Sequence, residues 1–296
     1  MGDTNKKWLY LGILSVIWGT SYILIKKGLL GFTPLQLGSV RVVLAGLFLF
    51  VIGFRSVRGI SKQEWPWVIV SGFVGSFLPM FLFAFAETEI DSSVASVLNS
   101  LVPLFTLFVG YLAFGIGFQR NQLFGVLLGL GGAILLILTG KSLNPEQNYG
   151  YTVLVVIATV CYALNTNIIK SKLQNVSPMA IAVGNFLGIW IPGLLVMFSS
   201  GFFEGSTLNG PNFWPSLGYI VILCVLSTCV AKIMFNRLVQ ISSAVFSVSV
   251  TYLIPLVGIF WGVLDGETFG ARQLLSAGLI LFGVYLINKK RTPKAS

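Results

Sequence analysis

Ten apolar blocks, each about long enough to cross a bilayer, fill nearly all of this 296-residue chain, and the last five echo the first five. A hydrocarbon core about 30 Å thick takes roughly 20 apolar residues per helix. The blocks run Trp8–Ile25, Leu37–Phe54, Pro66–Ala86, Ser92–Phe114, Gln122–Thr139, Gly150–Ile169, Met179–Ser199, Trp214–Phe235, Ala244–Leu264 and Arg272–Asn288. Backbone polar groups in lipid must pair within the segment, so each block is predicted to be a helix. Charged residues make up 9% of the chain, against about 25% in soluble domains. No polar stretch is long enough to fold alone.

The basic residues set an orientation. With the N-terminus cytoplasmic, inner ends and tails hold Lys6, Lys7, Arg55, Arg58, Lys62, Arg120, Lys170, Lys172, Arg237, Lys289, Lys290, Arg291 and Lys294. Outer ends hold Lys26, Lys27, Lys141 and Arg272, and Arg41 and Lys232 lie inside blocks. This positive-inside asymmetry predicts a multi-pass protein, in a bacterial inner membrane, with both termini cytoplasmic. The net charge of +10 is therefore an orientation signal, and no nucleic-acid partner is expected. Lys26-Lys27 closes the first block with no small-residue cleavage site, so it reads as a retained span rather than a signal peptide.

The internal echo is specific. Trp18-Gly19-Thr20-Ser21-Tyr22-Ile23-Leu24-Ile25-Lys26 with Thr33-Pro34 keeps register with Tyr162-Ala163-Leu164-Asn165-Thr166-Asn167-Ile168-Ile169-Lys170 with Ser177-Pro178. Ile90-Asp91-Ser92-Ser93 and Pro103 are echoed by Ile241-Ser242-Ser243 and Pro255. Five is odd, so the second copy must sit upside down. The expected fold is an all-α integral membrane protein of ten transmembrane helices in two inverted five-helix repeats. Its parts are residues 1–140, a linker at 141–149, residues 150–288 and a basic tail at 289–296.

Trp18-Gly19-Thr20-Ser21, Pro34 followed by Arg41-Val42-Val43-Leu44-Ala45-Gly46, Asn99 through Pro103, and Gly266-Glu267 before Arg272-Gln273-Leu274 resemble the EamA branch of the drug/metabolite transporter superfamily. The resemblance spans both copies. It implies ten helices, cytoplasmic termini, a central cavity between the halves, and export of small metabolites or amino acids. Many members carry Gly-Glu in both copies; here the first copy has Gly115-Ile116-Gly117 instead. A role found once is not expected to be the transport chemistry.

Enzyme chemistry has little to work with. Histidine is absent, which removes the commonest general base and metal ligand. Cys161, Cys224 and Cys229 lie inside apolar blocks, an odd set without ligand spacing. No catalytic residue, metal or cofactor is predicted. The competing readings are a membrane enzyme or scaffold without transport. Gly125, Gly129, Gly132, Gly278 and Gly283 are at helical spacing and suit close helix contacts, with a homodimer through these helices as the alternative.

The predicted substrate site gathers Trp18, Tyr22, Asn99, Tyr162, Asn165, Lys232, Thr251 and Tyr252 from inside the blocks. Thr20, Ser100 and Asn167 are further polar residues there. Buried amides need a partner, either another helix or a solute. Lys232 has two readings, a cavity cation or a side chain snorkelling to the boundary marked by Arg237. Arg41 is expected to be a structural anchor. Pro79, Pro103, Pro192 and Pro255 can open the helical hydrogen-bond ladder and permit bending. Two basic residues and no acid in the interior predict a carboxylate-bearing solute such as an amino acid. With Asp and Glu clustered at the outer helix ends in water, uncoupled diffusion or exchange is expected, whereas a shift of the helix ends by one turn would bring Glu87, Glu89 or Glu267 into the cavity.

Overall fold

In the computed structural model, which describes residues 3–115 and 120–288, the described residues are helical and contain no strand. The helices are α1 (Asp3–Gly28), α2 (Pro34–Gly53), α3 (Trp65–Gly72), α4 (Leu78–Ala86), α5 (Ser92–Leu98), α6 (Val102–Phe114), α7 (Arg120–Leu143) and α8 (Thr152–Lys172). They continue with α9 (Pro178–Ser199), α10 (Gly205–Leu208), α11 (Phe213–Ile222), α12 (Ala231–Ile241), α13 (Ala244–Val248), α14 (Ile254–Leu264) and α15 (Ala271–Asn288). The basic tail at 289–296 and positions 116–117 lie outside the described residues.

Eight stretches are long and apolar enough to span a membrane: Lys6–Gly28, Pro34–Gly59, Trp65–Ala86, Ser92–Phe114, Tyr149–Lys172, Pro178–Ser199, Phe213–Ile241 and Ala244–Leu264. The fifth and tenth blocks give shorter apolar helices, Leu127–Gly140 and Ala271–Gly283. The outer surface bears Val51, Leu195, Phe198, Phe124 and Leu275, an apolar coat that suits lipid rather than water.

Ser/Thr-Pro starts a helix in both halves, as the sequence predicts. Thr33 Oγ1 accepts from Gln36 N and Gln36 Oε1 accepts from Thr33 N, with Pro34 in the first turn of α2. Ser177 Oγ accepts from Ala180 N ahead of Pro178 in α9. These bonds satisfy N–H groups that the first turn leaves open.

Four spans are interrupted. A π-helical stretch, Phe73–Phe77, joins α3 to α4, and another, Leu223–Val230, joins α11 to α12. A 3₁₀ turn, Asn99–Leu101, joins α5 to α6, and Ser249–Tyr252 follows α13. Pro79, Pro103 and Pro255 each stand in the first turn of the helix after such a break. Pro192 differs: it lies inside α9, which runs through it.

Packing joins the halves closely. α2 lies on α9, α5 on α14, α6 on α13, and α7 on α15. α4 and α6 lie on α8, while α12 and α14 lie on α1. α7 and α15 approach to backbone contact, because a Cβ on Gly283 would come within 2.6 Å of Gly129 N and 2.7 Å of Gly125 O. These glycines therefore serve packing within the chain.

Candidate functional site

The helix breaks and the mid-portions of the spans enclose a central cavity of about 930 Å³, including its mouth. Trp18, Tyr22, Arg41, Asn99, Tyr162, Asn165, Lys232 and Thr251 all line it. Tyr252 is absent from its wall; the residue packs against the apolar core. Of the other polar residues, Asn167 ties α8 to α6 by donating to Thr106 O at 2.9 Å. Thr20 accepts from Trp261 Nε1 on the exposed side.

The interruptions shape the polar wall. Gly75, in the first π-helical stretch, makes room for Asn165, whose Cγ would lie 2.5 Å from a Cβ there. Asn165 Oδ1 accepts from Ser71 Oγ at 2.6 Å. Trp18 Nε1 donates to Ser227 O at 3.1 Å, and the Ser21 and Ser227 hydroxyls meet at 2.6 Å. Asn99 Oδ1 is buried and accepts no hydrogen bond from any described residue. Tyr22 meets Phe83 edge-on at 5.6 Å, and Phe83 stacks on Tyr162.

Two cations face this space. Lys232 is buried, and its Nζ donates to Ser76 Oγ at 2.8 Å rather than running to the boundary. Arg41 is buried, and its Nε donates to Thr228 Oγ1 at 3.3 Å. Each reaches across to the other half, and the two hydroxyl acceptors sit at matching places in the paired π-helical stretches. Among the described residues neither forms a salt bridge; the ion pairs found there all involve Lys26 and Lys27. A hydroxyl only partly replaces the hydration of a buried cation. Ser76 and Thr228 were missed by sequence reasoning, although small hydroxyls inside apolar blocks were the available signal.

Beyond the cavity-lining Tyr22 and Ile25, α1 ends in a clasp of ion pairs. Lys26 Nζ reaches Glu267 Oε1 at 2.8 Å and Asp265 Oδ2 at 2.9 Å, while Lys27 also pairs with Asp265. Glu267 Oε1 further accepts from Ser92 N and Oγ, at 3.0 and 2.7 Å, and Oε2 accepts from Ser93 N at 3.0 Å. Gly266, at φ +87°, supplies the left-handed turn that delivers Glu267. The carboxylate expected in outer water is thus buried and links α1, α5 and the α14–α15 turn. Burial acts to raise the Glu267 pKa, but the bonds from Lys26, Ser93 and Ser92 hold it below the usual glutamate value. Glu87 is also buried, against the expectation of a solvated outer end. Burial, then the neighbouring Glu267, push its carboxyl well above the ordinary value.

The EamA-like transporter family matches residues 6–138 and 150–289. The chain belongs to that family. An inner membrane transporter of Escherichia coli strain K12, YedA, is 27% identical over 282 residues, covering 93% of this chain and 88% of its own. A probable amino-acid metabolite efflux pump of Salmonella typhimurium is 26% identical, covering 93% and 92%. An S-adenosylmethionine/S-adenosylhomocysteine transporter of Chlamydia muridarum is 24% identical, covering 92% and 88%. A solved structure with 19% identity and a TM-score of 0.65, covering 96% of both chains, shares the fold. This EamA-family chain is an integral multi-pass membrane protein of a transporter family.

Proposed function

We propose that the chain exports small organic metabolites bearing a carboxylate, amino acids or close derivatives, by alternating access between two inverted five-helix repeats. The observation that carries this reading is the pair of buried cations, Arg41 and Lys232, on a cavity wall whose described residues include no acid. A carboxylate between them would supply the missing counter-charge and form charge-assisted hydrogen bonds. Two of the relatives carry names of amino-acid-type cargo, which agrees with this class.

Several observations support the repeat. The packing of α4 and α6 on α8 is mirrored by that of α12 and α14 on α1, the exchange expected of a pseudo-twofold axis. The α2–α9 and α7–α15 pairs each join equivalent helices. The π-helical and 3₁₀ breaks fall at equivalent places, where bending would alter the cavity. In this reading the clasp of Lys26 with Asp265 and Glu267 is the outer gate, and both termini are cytoplasmic.

The test is transport of paired acids and amides, using radiolabelled L-amino acids and their amides in proteoliposomes. A charge-assisted hydrogen bond is worth about 1.5–3 kcal/mol, so Lys232→Gln should slow the acid by roughly tenfold to a hundredfold. The amide should change little. Equal effects on acid and amide would refute the charge pairing.

A further inference from the structure

Glu87 follows the last turn of α4, with its N–H donating to Phe83 O at 2.9 Å. Its carboxyl therefore sits one turn beyond a cavity-lining ring, between the cavity and the clasp. The residue is only 7% exposed, and both side-chain oxygens are buried with no hydrogen-bond partner among the described residues. The charged and titratable groups acting on it are Lys26 and Tyr22 from α1, Arg41 from α2 and Glu267 from the α14–α15 turn. Lys26 is engaged by Asp265 and Glu267, and Arg41 Nε by Thr228. On α8, which packs along α4, Tyr162 faces Phe83. An ionised Glu87 would be an uncompensated buried charge beside a second carboxylate, so the closed clasp favours the neutral acid.

We propose that Glu87 is a proton-binding site that governs the clasp: it holds its proton while Lys26 is bound to Glu267 and releases it to outer water as the clasp opens. The carboxyl O–H bond breaks, the proton passes to water, and the carboxylate takes the ammonium of Lys26 as its partner. Reclosure requires the proton to return. The proton thus leaves to and returns from the outer side, so opening responds to outer pH with no net movement of protons across the membrane.

By linkage, whatever factor clasp opening takes from the carboxyl's proton affinity, ionisation returns to opening. A change of one pKa unit corresponds to about tenfold. The proposal rests on the clasp being a gate, and Glu267→Gln tests that premise separately.

The experiment uses the full chain in liposomes with Ile25→Cys as reporter, a cavity residue next to Lys26. An impermeant maleimide is added from outside, and infrared difference spectra follow the protonated-carboxyl C=O band. Raising the pH above the ordinary carboxylate range should remove a carboxyl band and, after correction for the reporter thiol's own ionisation measured in the Glu87→Gln protein, speed labelling about tenfold. Glu87→Gln, which mimics the protonated acid, should lack that band and show only the rise in labelling that the reporter thiol's own ionisation brings. Glu89→Gln should behave as the parent chain. A Glu87→Gln protein with the parent's pH dependence of labelling would overturn the proposal. So would spectra showing no Glu87-dependent carboxyl band titrating above the ordinary carboxylate range.

Discussion

Glu267→Gln isolates the charge of the clasp while keeping the shape of the side chain. Glu267 Oε1 receives three donors, from Lys26 and both polar groups of Ser92, and Oε2 receives Ser93 N–H. A glutamine can present its oxygen to only one of these sets. Its NH₂ must then face a donor, so at least one buried N–H loses its acceptor, at a cost of about 1–3 kcal/mol. The ion pair with Lys26 is lost too. Removing one member of a fully buried pair costs about 3–5 kcal/mol. Lys26 is 32% exposed and retains Asp265, so its share belongs well below that range. A total of about 3 kcal/mol follows, roughly 150-fold in the closed-to-open ratio if the clasp exists only in the closed state. The rate at which an impermeant maleimide modifies Ile25→Cys reads this ratio directly, with the buried native cysteines as background. Labelling within threefold of the parent would show that the clasp does not hold this end shut.

Other outcomes follow from the same geometry. The stability contributed by Glu267, whose pKa is depressed, is present above its unfolded value and lost as pH falls through the folded one. Acidification into that low range should therefore lower the melting temperature of the parent chain more than that of Glu267→Gln. Gly283→Val should destabilise the protein by about 1–3 kcal/mol, seen as a lower melting temperature, because the new Cβ meets backbone rather than movable side chains. Cysteines at the exposed positions Thr88 and Glu204 should react with an impermeant reagent from outside, while Ser61→Cys should not; the reverse would invert the orientation. Substituting Trp18, Tyr22, Asn99, Tyr162, Asn165 or Thr251 should alter transport without loss of membrane insertion. Normal transport by all six variants would move the substrate elsewhere.

Helical class and the main polar ring were legible because bilayer length and residue type are local properties of the chain. Trp18, Asn165 and Lys232 stand out as polar or aromatic residues inside apolar blocks, and they do share one cavity. What sequence could not reach was three-dimensional pairing. Ser76 looks like any small residue until Lys232 is found against it. Tyr252 follows Thr251, but its ring goes to the core while Thr251 lines the wall. Glu87 and Glu267 were assigned to water because each lies at the end of a block. Burial there is decided by the neighbouring helix ends, which a block-by-block reading does not bring together. Gly266-Glu267 has no counterpart in the first copy, so sequence offers no partner for its carboxylate, and only the fold brings it to Lys26 and Ser92.

The contact between α7 and α15 carries a consequence for handling this protein. None of their described side chains lines the cavity, and their meeting at Gly125, Gly129 and Gly283 leaves little room for sliding. In the proposed alternating access they would form a fixed post, a stator rather than a rotor. A covalent staple between Phe124 and Phe282, exposed beside the contacting glycines of these two helices, would lock the pair without touching the cavity wall. The same attachment on α1, which carries both Lys26 of the clasp and Trp18 of the cavity wall, would grip the two at once.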